Sequence, residues 1–110
     1  MKLPNSKNAY VPKEKLSKYL LSETHPVGKS KAKFFRKLGF DETNVDKLEQ
    51  ILLSIARTNE VENIKKMPYG VNYAIHGVIN LSGNETVSIK TVWFIEHGKD
   101  RPRFVTAIPV

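Results

Sequence analysis

The chain contains no cysteine, which excludes disulfide bonds and any site built on a thiolate, whether a metal ligand or a nucleophile. It also lacks an apolar run near the roughly 18 residues of a membrane-spanning helix, and its opening residues lack the apolar region of a signal peptide. Its histidines and carboxylates are scattered, without the spacing of a metal site. We therefore expect a cytoplasmic protein with no metal, no cofactor and no membrane partner.

Acidic residues are the next shortage. The 110 residues include 18 Lys and Arg but only 11 Asp and Glu, which gives a formal net charge of +7. On so small a chain this excess favours a polyanionic partner such as RNA, DNA or an acidic protein. The length suits one hydrophobic core, and the 40% hydrophobic content is close to that of folded proteins. We therefore expect a single domain over residues 1–110.

The first half of the chain has helical periodicity. Pro12 suits the first turn of a short amphipathic helix, and Gly39 suits the end of a second helix that Ser30 would cap. Thr43 and Asp46 resemble a capping box in front of a third helix, whose apolar residues recur every three or four positions. The predicted helices span 12–21, Ser30 to Leu38, and 44–57.

The second half alternates apolar and polar residues, as half-buried strands do. Gly77 suggests a bulge or kink within the first strand, whereas residues 58–70 have no clear period and are expected only to cover a sheet edge. The predicted strands span 71–81, 86–96 and Arg103 to Ile108, and the extended arm of residues 1–11 could add an edge strand. The fold class is therefore α+β, with N-terminal helices packed on a C-terminal antiparallel sheet of three to four strands.

His25 heads the densest group of reactive side chains. It lies on a loop before Pro26 and Gly28, and Lys29 and Lys33 follow on one side of the second helix, while Lys31 points away from that pair. A general acid/base beside fixed positive charges suits phosphodiester chemistry. The same residues could instead be a basic helix start whose lysines are simply solvated.

Two threonines and two arginines are the candidates in the strands. Thr91 and Thr106 interrupt apolar strand faces, either as functional hydroxyls or as buried groups that bond to a neighbour. Arg101 and Arg103 flank Pro102, where a guanidinium could clamp a phosphate or lie exposed in a loop.

Short motifs lie along nearly the whole chain: Leu3-Pro4-Asn5, His25-Pro26-Val27-Gly28, Lys31-Ala32 with Phe34-Phe35, Tyr69-Gly70, Thr91-Val92-Trp93, and Pro102-Arg103-Phe104-Val105-Thr106-Ala107-Ile108-Pro109. Together they resemble a small bacterial and phage domain family of unknown function. The layout of such domains is similar to the barnase, EndoU, colicin and RelE superfamily of metal-independent ribonucleases, which recur as toxins.

That resemblance implies RNA cleavage by attack of the 2′-hydroxyl on the adjacent phosphate. His25 would be the acid/base, Lys29 or Lys33 with Arg103 would stabilise the phosphorane, and Thr106 would donate to a phosphate oxygen. Toxins of this kind often have tyrosine two residues after the strand threonine, whereas this chain has Ile108.

The resemblance also implies partners. RNA would be the substrate, and an acidic antitoxin or immunity protein would be the inhibitor. The alternative is a noncatalytic basic module that binds nucleic acid or an acidic protein. If the enzyme interpretation holds, His25 and either Lys29 or Lys33 should share one concavity with Arg103 and Thr106. Further RNA contacts are predicted at Lys31, Lys90, Thr91 and Arg101.

Overall fold

The computed structural model describes residues 1–26 and 28–110, and it confirms the α+β architecture. Helix α1 is short and continues into a π-helical turn, α2 and α3 follow, and four strands complete the fold. The bounds are α1 Lys13–Lys15, the π-helical turn Leu16–Leu20, α2 Lys29–Lys37, α3 Val45–Thr58, β1 Val61–Met67, β2 Gly70–Asn80, β3 Thr86–Glu96 and β4 Arg103–Pro109.

The sheet is an antiparallel meander with strand order β1-β2-β3-β4, and the helices pack on one of its faces. In the register, Ile75 pairs with Thr91 and Thr91 with Ala107, and all three are buried toward the helices. Trp93 pairs with Phe104 beside them and is buried, so it belongs to the core. Because paired residues share a face, the alternate positions of β3 lie on the side away from the helices.

Strand β1 occupies part of the segment that the sequence left without a period. Val61–Met67 pairs only with β2, so it is an edge strand, and its five central residues are all exposed. An edge strand with neither face buried has no alternation of apolar and polar residues to reveal it. The sheet accordingly has the larger of the two predicted strand numbers.

Two predicted helix starts are wrong in detail. Gly28, not Ser30, precedes α2, and Ser30 lies inside the helix. Asn44 precedes α3, and no side chain caps its first turn. Thr43 instead donates from its amide and its hydroxyl to Asp41 Oδ1, at 2.8 and 2.5 Å, so this pairing replaces the expected capping box.

Gly77 does not form the predicted bulge, since the β2–β3 register runs through it without a shift. Its role is close packing: a Cβ at this position would lie 2.6 Å from side-chain atoms of Ile55 on α3. Glycine therefore lets α3 approach β2 closely enough to form the core. The register shifts lie elsewhere, between Val61 and Asn63 and between Val92 and Trp93.

The N-terminal arm contacts both edges of the sheet through isolated bridges. Lys2 bridges Glu60 just before β1, and Tyr10 bridges Arg103 at the start of β4. It therefore covers edges rather than adding a full strand. Within the described residues, no helix is long and apolar enough to cross a membrane.

Candidate active site

Tyr19 lies at the centre of the candidate site. It belongs to the π-helical turn Leu16–Leu20, closed by a 2.8 Å hydrogen bond from the Leu21 N–H to the Leu16 carbonyl. The Tyr19 hydroxyl shares a 3.0 Å hydrogen bond with the hydroxyl of Thr106 on β4. Single π-helical turns are rare, and those that occur are often at functional sites.

His25 packs against the same tyrosine. The two rings meet edge to face, with centroids 5.0 Å apart and planes at 86°. The Gly28 N–H donates to His25 Nδ1 at 2.9 Å, and the His25 N–H donates to the Ser22 hydroxyl at 3.1 Å. Because Nδ1 accepts a hydrogen bond, the proton of the neutral ring lies on Nε2.

Gly28 allows this approach. A Cβ at Gly28 would lie 2.2 Å from the carbonyl oxygen of Tyr19, a distance that no side chain could occupy. The glycine therefore brings the histidine loop directly against the π-helical turn. Val27, which belongs to the same predicted loop, lies outside the described residues.

Two lysines lie over the face of Tyr19. The ammonium of Lys15 is 4.7 Å from the ring centroid, and that of Lys31 is 5.6 Å away. Lys31 thus joins the site although its helical position suggested that it points elsewhere. A positive charge over an aromatic ring is attracted to the electrons of its face. We call Tyr19, His25, Thr106, Lys15 and Lys31 the Tyr19 cluster.

Lys29 and Lys33 line a different concavity. Their side chains are exposed and border an open cleft of about 700 Å³, which we call the lysine cleft. Its other lining residues include both charge signs: Glu23, Ser30, Arg36 and Lys37.

Arg36 anchors the loop that carries His25, a role that sequence reasoning missed. Its Nε and Nη2 atoms donate to the Leu21 carbonyl at 3.0 and 2.7 Å. The guanidinium also forms ion pairs with Glu23, at 3.2 Å, and with Glu42. The Glu42 hydrogen bond raises the pKa of Arg36 and lowers that of Glu42. One arginine among lysines, with a glutamate in each flanking loop, was the available signal.

Thr106 lies beside an irregularity in β4. Val92 pairs with Thr106 and Trp93 pairs with Phe104, so Val105 is an extra residue opposite β3. Such bulges are common at sheet edges and near active sites, where they redirect a side chain. Here the bulge adjoins the hydroxyl that meets Tyr19.

Arg101 precedes β4, and Arg103 is its first residue. The Arg101 guanidinium is 3.9 Å from the centroid of Tyr10, and that of Arg103 is 5.9 Å from the centroid of Phe94. Together with Glu96 and Lys99, these residues line an open cleft of about 530 Å³, which we call the arginine cleft. Of the five predicted catalytic residues, the structure joins His25 and Thr106 through Tyr19.

The remaining predicted RNA contacts differ in accessibility. Thr91 is fully buried, donates to the Ile75 carbonyl at 2.9 Å and accepts from the Trp93 indole N–H at 2.9 Å. A side chain without exposed surface cannot contact RNA, so packing explains this hydroxyl and corrects its prediction. Lys90 is half-buried and lies opposite His76 and Ile108, on the sheet face away from the helices.

Among residues 1–26 and 28–110, no three His, Asp or Glu side chains lie close enough together to hold a metal ion. Hydrogen bonds raise the pKa of Arg36 and lower those of Asp41, Glu42 and Glu60.

Comparison with known proteins matches the chain to a family model and to solved structures. Residues 2–110 match the model of a family described as "Domain of unknown function (DUF6883)". A chain in the structure of a contact-dependent growth inhibition toxin–immunity protein complex from Klebsiella pneumoniae 342 has a TM-score of 0.70 to this chain, 15% sequence identity, and 96% coverage of each chain. Such low identity indicates a shared fold alone. No curated protein sequence matches significantly.

Proposed function

The chain belongs to the DUF6883 family, and we propose that it is a metal-independent endoribonuclease of the toxin type. One observation carries the proposal: the Tyr19 hydroxyl bonds to Thr106 while its ring packs against His25. Three separate elements, the π-helical turn, the histidine loop and β4, thereby bring two hydroxyls and an imidazole together. Such a constellation suits proton transfer around a phosphate.

The proposed reaction forms a bond from the 2′-oxygen to phosphorus and breaks the bond from phosphorus to the 5′-oxygen. Tyr19 donates its phenol proton to the leaving 5′-oxygen, and the lysine ammoniums at 4.7 and 5.6 Å stabilise the negative charge that its oxygen then carries. His25 accepts the 2′ proton at Nδ1, the ring nitrogen without a proton, in place of the Gly28 N–H. Proton exchange through water then restores both groups. The products are a 2′,3′-cyclic phosphate and a free 5′-hydroxyl.

Thr106 would hold the phosphate during this step. Its hydroxyl already bonds to Tyr19, so an incoming phosphate oxygen would meet both hydroxyls at once. Lys31 and Lys15 supply the nearby positive charge that Lys29 and Lys33 were expected to provide. Toxins of this kind often have a tyrosine at the position of Ile108. In this chain Tyr19 supplies the phenol hydroxyl instead, from the helical layer rather than from β4.

A protein partner of the immunity kind is part of the proposal. The similar structure contains both a toxin and its immunity protein, and either kind of protein could have this fold. The net charge of +7 favours the RNA-binding side of such a pair. An acidic inhibitor could dock on the exposed Lys29 and Lys33 of the lysine cleft, which are not needed in the Tyr19 cluster.

The test is cleavage of purified RNA in excess EDTA. We expect wild-type protein to cleave and His25→Ala to be slower by about 10²-fold or more, the usual contribution of a general base. His97→Ala is the matched control, because His97 lies exposed in the β3–β4 connection, and it should cleave normally. A wild-type protein that binds RNA without cleaving it would instead support the noncatalytic basic module.

A further inference from the structure

We infer that the arginine cleft binds the base of an unpaired nucleotide next to the cleaved bond. The inference rests on the proposed function for the identity of the ligand as RNA. It assigns Arg101 and Arg103 to substrate binding rather than to the reacting phosphate. It also makes single-stranded RNA, rather than a duplex, the preferred substrate.

The cleft offers two planar stacking positions. Arg101 lies 3.9 Å from the centroid of Tyr10, and Arg103 lies 5.9 Å from that of Phe94. Both aromatic rings are half-buried, whereas both arginines are exposed. Single-stranded nucleic acids are bound by stacking their bases on aromatic rings and guanidinium planes. A volume of about 530 Å³ leaves room for a base between these walls.

Backbone hydrogen bonds hold these walls in place. The Tyr10 N–H donates to the Pro102 carbonyl at 3.0 Å, and the Phe104 N–H donates to the Tyr10 carbonyl at 3.0 Å. Asn8 Nδ2 donates to the Asp100 carbonyl at 3.2 Å. The arm and the β3–β4 connection therefore fix Tyr10 beside Arg101 before any ligand arrives. Such preorganisation reduces the entropy cost of binding.

The charges of the cleft favour a base over a bare phosphate. The carboxylates of Glu96 and Asp100 line it along with Lys99 and the two arginines. A carboxylate repels a phosphate but accepts a hydrogen bond from the exocyclic amine of a base. The arginines can still contact the phosphate attached to that nucleotide, in the exposed mouth of the cleft.

The position suits a flanking nucleotide. Arg103 and Thr106 lie on the same strand, and three residues of strand span about 10 Å. The bulge at Val105 shortens that distance. A nucleotide adjacent to a phosphate held at Thr106 could therefore reach the arginine cleft.

The experiment uses short DNA oligonucleotides with one ribonucleotide, so that a 2′-hydroxyl is present at a single bond. In a series of such strands, one abasic residue is placed at successive positions around that bond. With wild-type protein, we expect kcat/KM to fall about tenfold or more when the abasic residue occupies the cleft. Phe94→Leu and Arg101→Gln should cleave the intact strand more slowly and lose this position dependence. Tyr69→Leu, which alters an exposed aromatic residue outside the cleft, should behave as wild type.

A binding experiment separates the base site from the ribonuclease activity. It measures the binding of the same strands to His25→Ala protein by fluorescence anisotropy. If wild-type protein cleaves the strands equally well wherever the abasic residue lies, the base site is overturned and the ribonuclease proposal stands. Base-dependent binding that Phe94→Leu abolishes, without wild-type cleavage, supports the base site and overturns the ribonuclease. Binding that ignores both the missing base and Phe94→Leu overturns the base site.

Discussion

At the scale of single residues, one hydroxyl group links the helical layer to the last strand. Tyr19 contributes a ring that contacts His25 and an oxygen that bonds to Thr106. Removing only that oxygen leaves the ring and its lysine neighbours intact, so its contribution can be measured separately. In the proposed reaction the two hydroxyls act together. When residues act together, removing both costs little more activity than removing either one.

We therefore expect Tyr19→Phe and Thr106→Val each to lower single-turnover cleavage by about 10²-fold, and the double variant to lose little more. Each single variant should also unfold more easily in urea, by about 1 kcal/mol, because a partly buried hydrogen bond is lost. Independent losses, which would multiply in the double variant, would show that the two hydroxyls do not act together.

The sequence allowed some of these residues to be anticipated and others not. His25 and Thr106 stood out because a loop histidine and a threonine among apolar residues break local patterns. Tyr19 did not, because Leu16, Tyr19 and Leu20 fit a buried helical stripe and its hydrogen-bond partner is 87 residues away. Tertiary packing, not spacing on α2, brings Lys31 over that ring.

At the scale of elements, helix α2 both supports the core and fixes the histidine loop. Phe35 on its inner side is buried, while Arg36 binds the Leu21 carbonyl at the start of that loop. Asp41, in the turn after α2, has a lowered pKa because the Thr43 hydroxyl and amide bond to its carboxylate. Two connections around α2 therefore depend on ionised carboxylates, those of Glu42 and Asp41.

The Arg36–Glu42 pair should make stability depend on pH. Because folding lowers the pKa of Glu42 below its ordinary value of 4.5, the stabilisation is present above that pH and is lost as pH falls through the folded pKa. Glu42→Gln should therefore unfold at lower urea concentration than wild type at pH 7, and this gap should close in acid. The control Glu85→Gln changes an exposed glutamate in the β2–β3 turn. A gap for Glu42→Gln that stays constant with pH would contradict the assignment.

Elements were predictable where one face is buried. The periodic residues of α3 and the alternation of β3 identified Val45–Thr58 and Thr86–Glu96 closely. Strand β1 gave no such signal, because an exposed edge strand needs no apolar face. The start of α3 was misassigned because Thr43 bonds to Asp41 rather than to the helix, a local competition that the capping pattern does not reveal.

At the scale of the whole molecule, the fold class followed from the order of helical and strand patterns, but the arrangement of its charges did not. A net charge of +7 is distributed among the Tyr19 cluster, the lysine cleft and the arginine cleft. Composition indicates attraction to polyanions without saying which of these surfaces contacts them. Helical spacing separates Lys31 from Lys29 and Lys33, but only the tertiary structure places it over Tyr19.

Salt dependence can assign those charges. For single strands, each phosphate contact contributes about −0.7 to the slope of log K against log salt concentration. In His25→Ala protein, the double substitution Lys15→Gln and Lys31→Gln should weaken RNA binding. It should also make the slope less steep by the contribution of about one to two phosphate contacts. Lys65→Gln with Lys66→Gln, on the edge strand β1 opposite to β4, is the matched control. Equal effects of the two pairs would indicate diffuse attraction rather than a defined RNA path.

The hydrogen bond between Tyr19 and Thr106 joins residues near opposite ends of the sequence. A fragment that ends after His25 but before β4 contains the imidazole and the phenol but not the hydroxyl that completes the proposed centre. During synthesis, the growing polypeptide would therefore remain harmless to the RNA around it until its final strand docks. Cutting the turn at Ser82–Asn84 would divide the protein into two inert halves, which could regain activity only by reassembling.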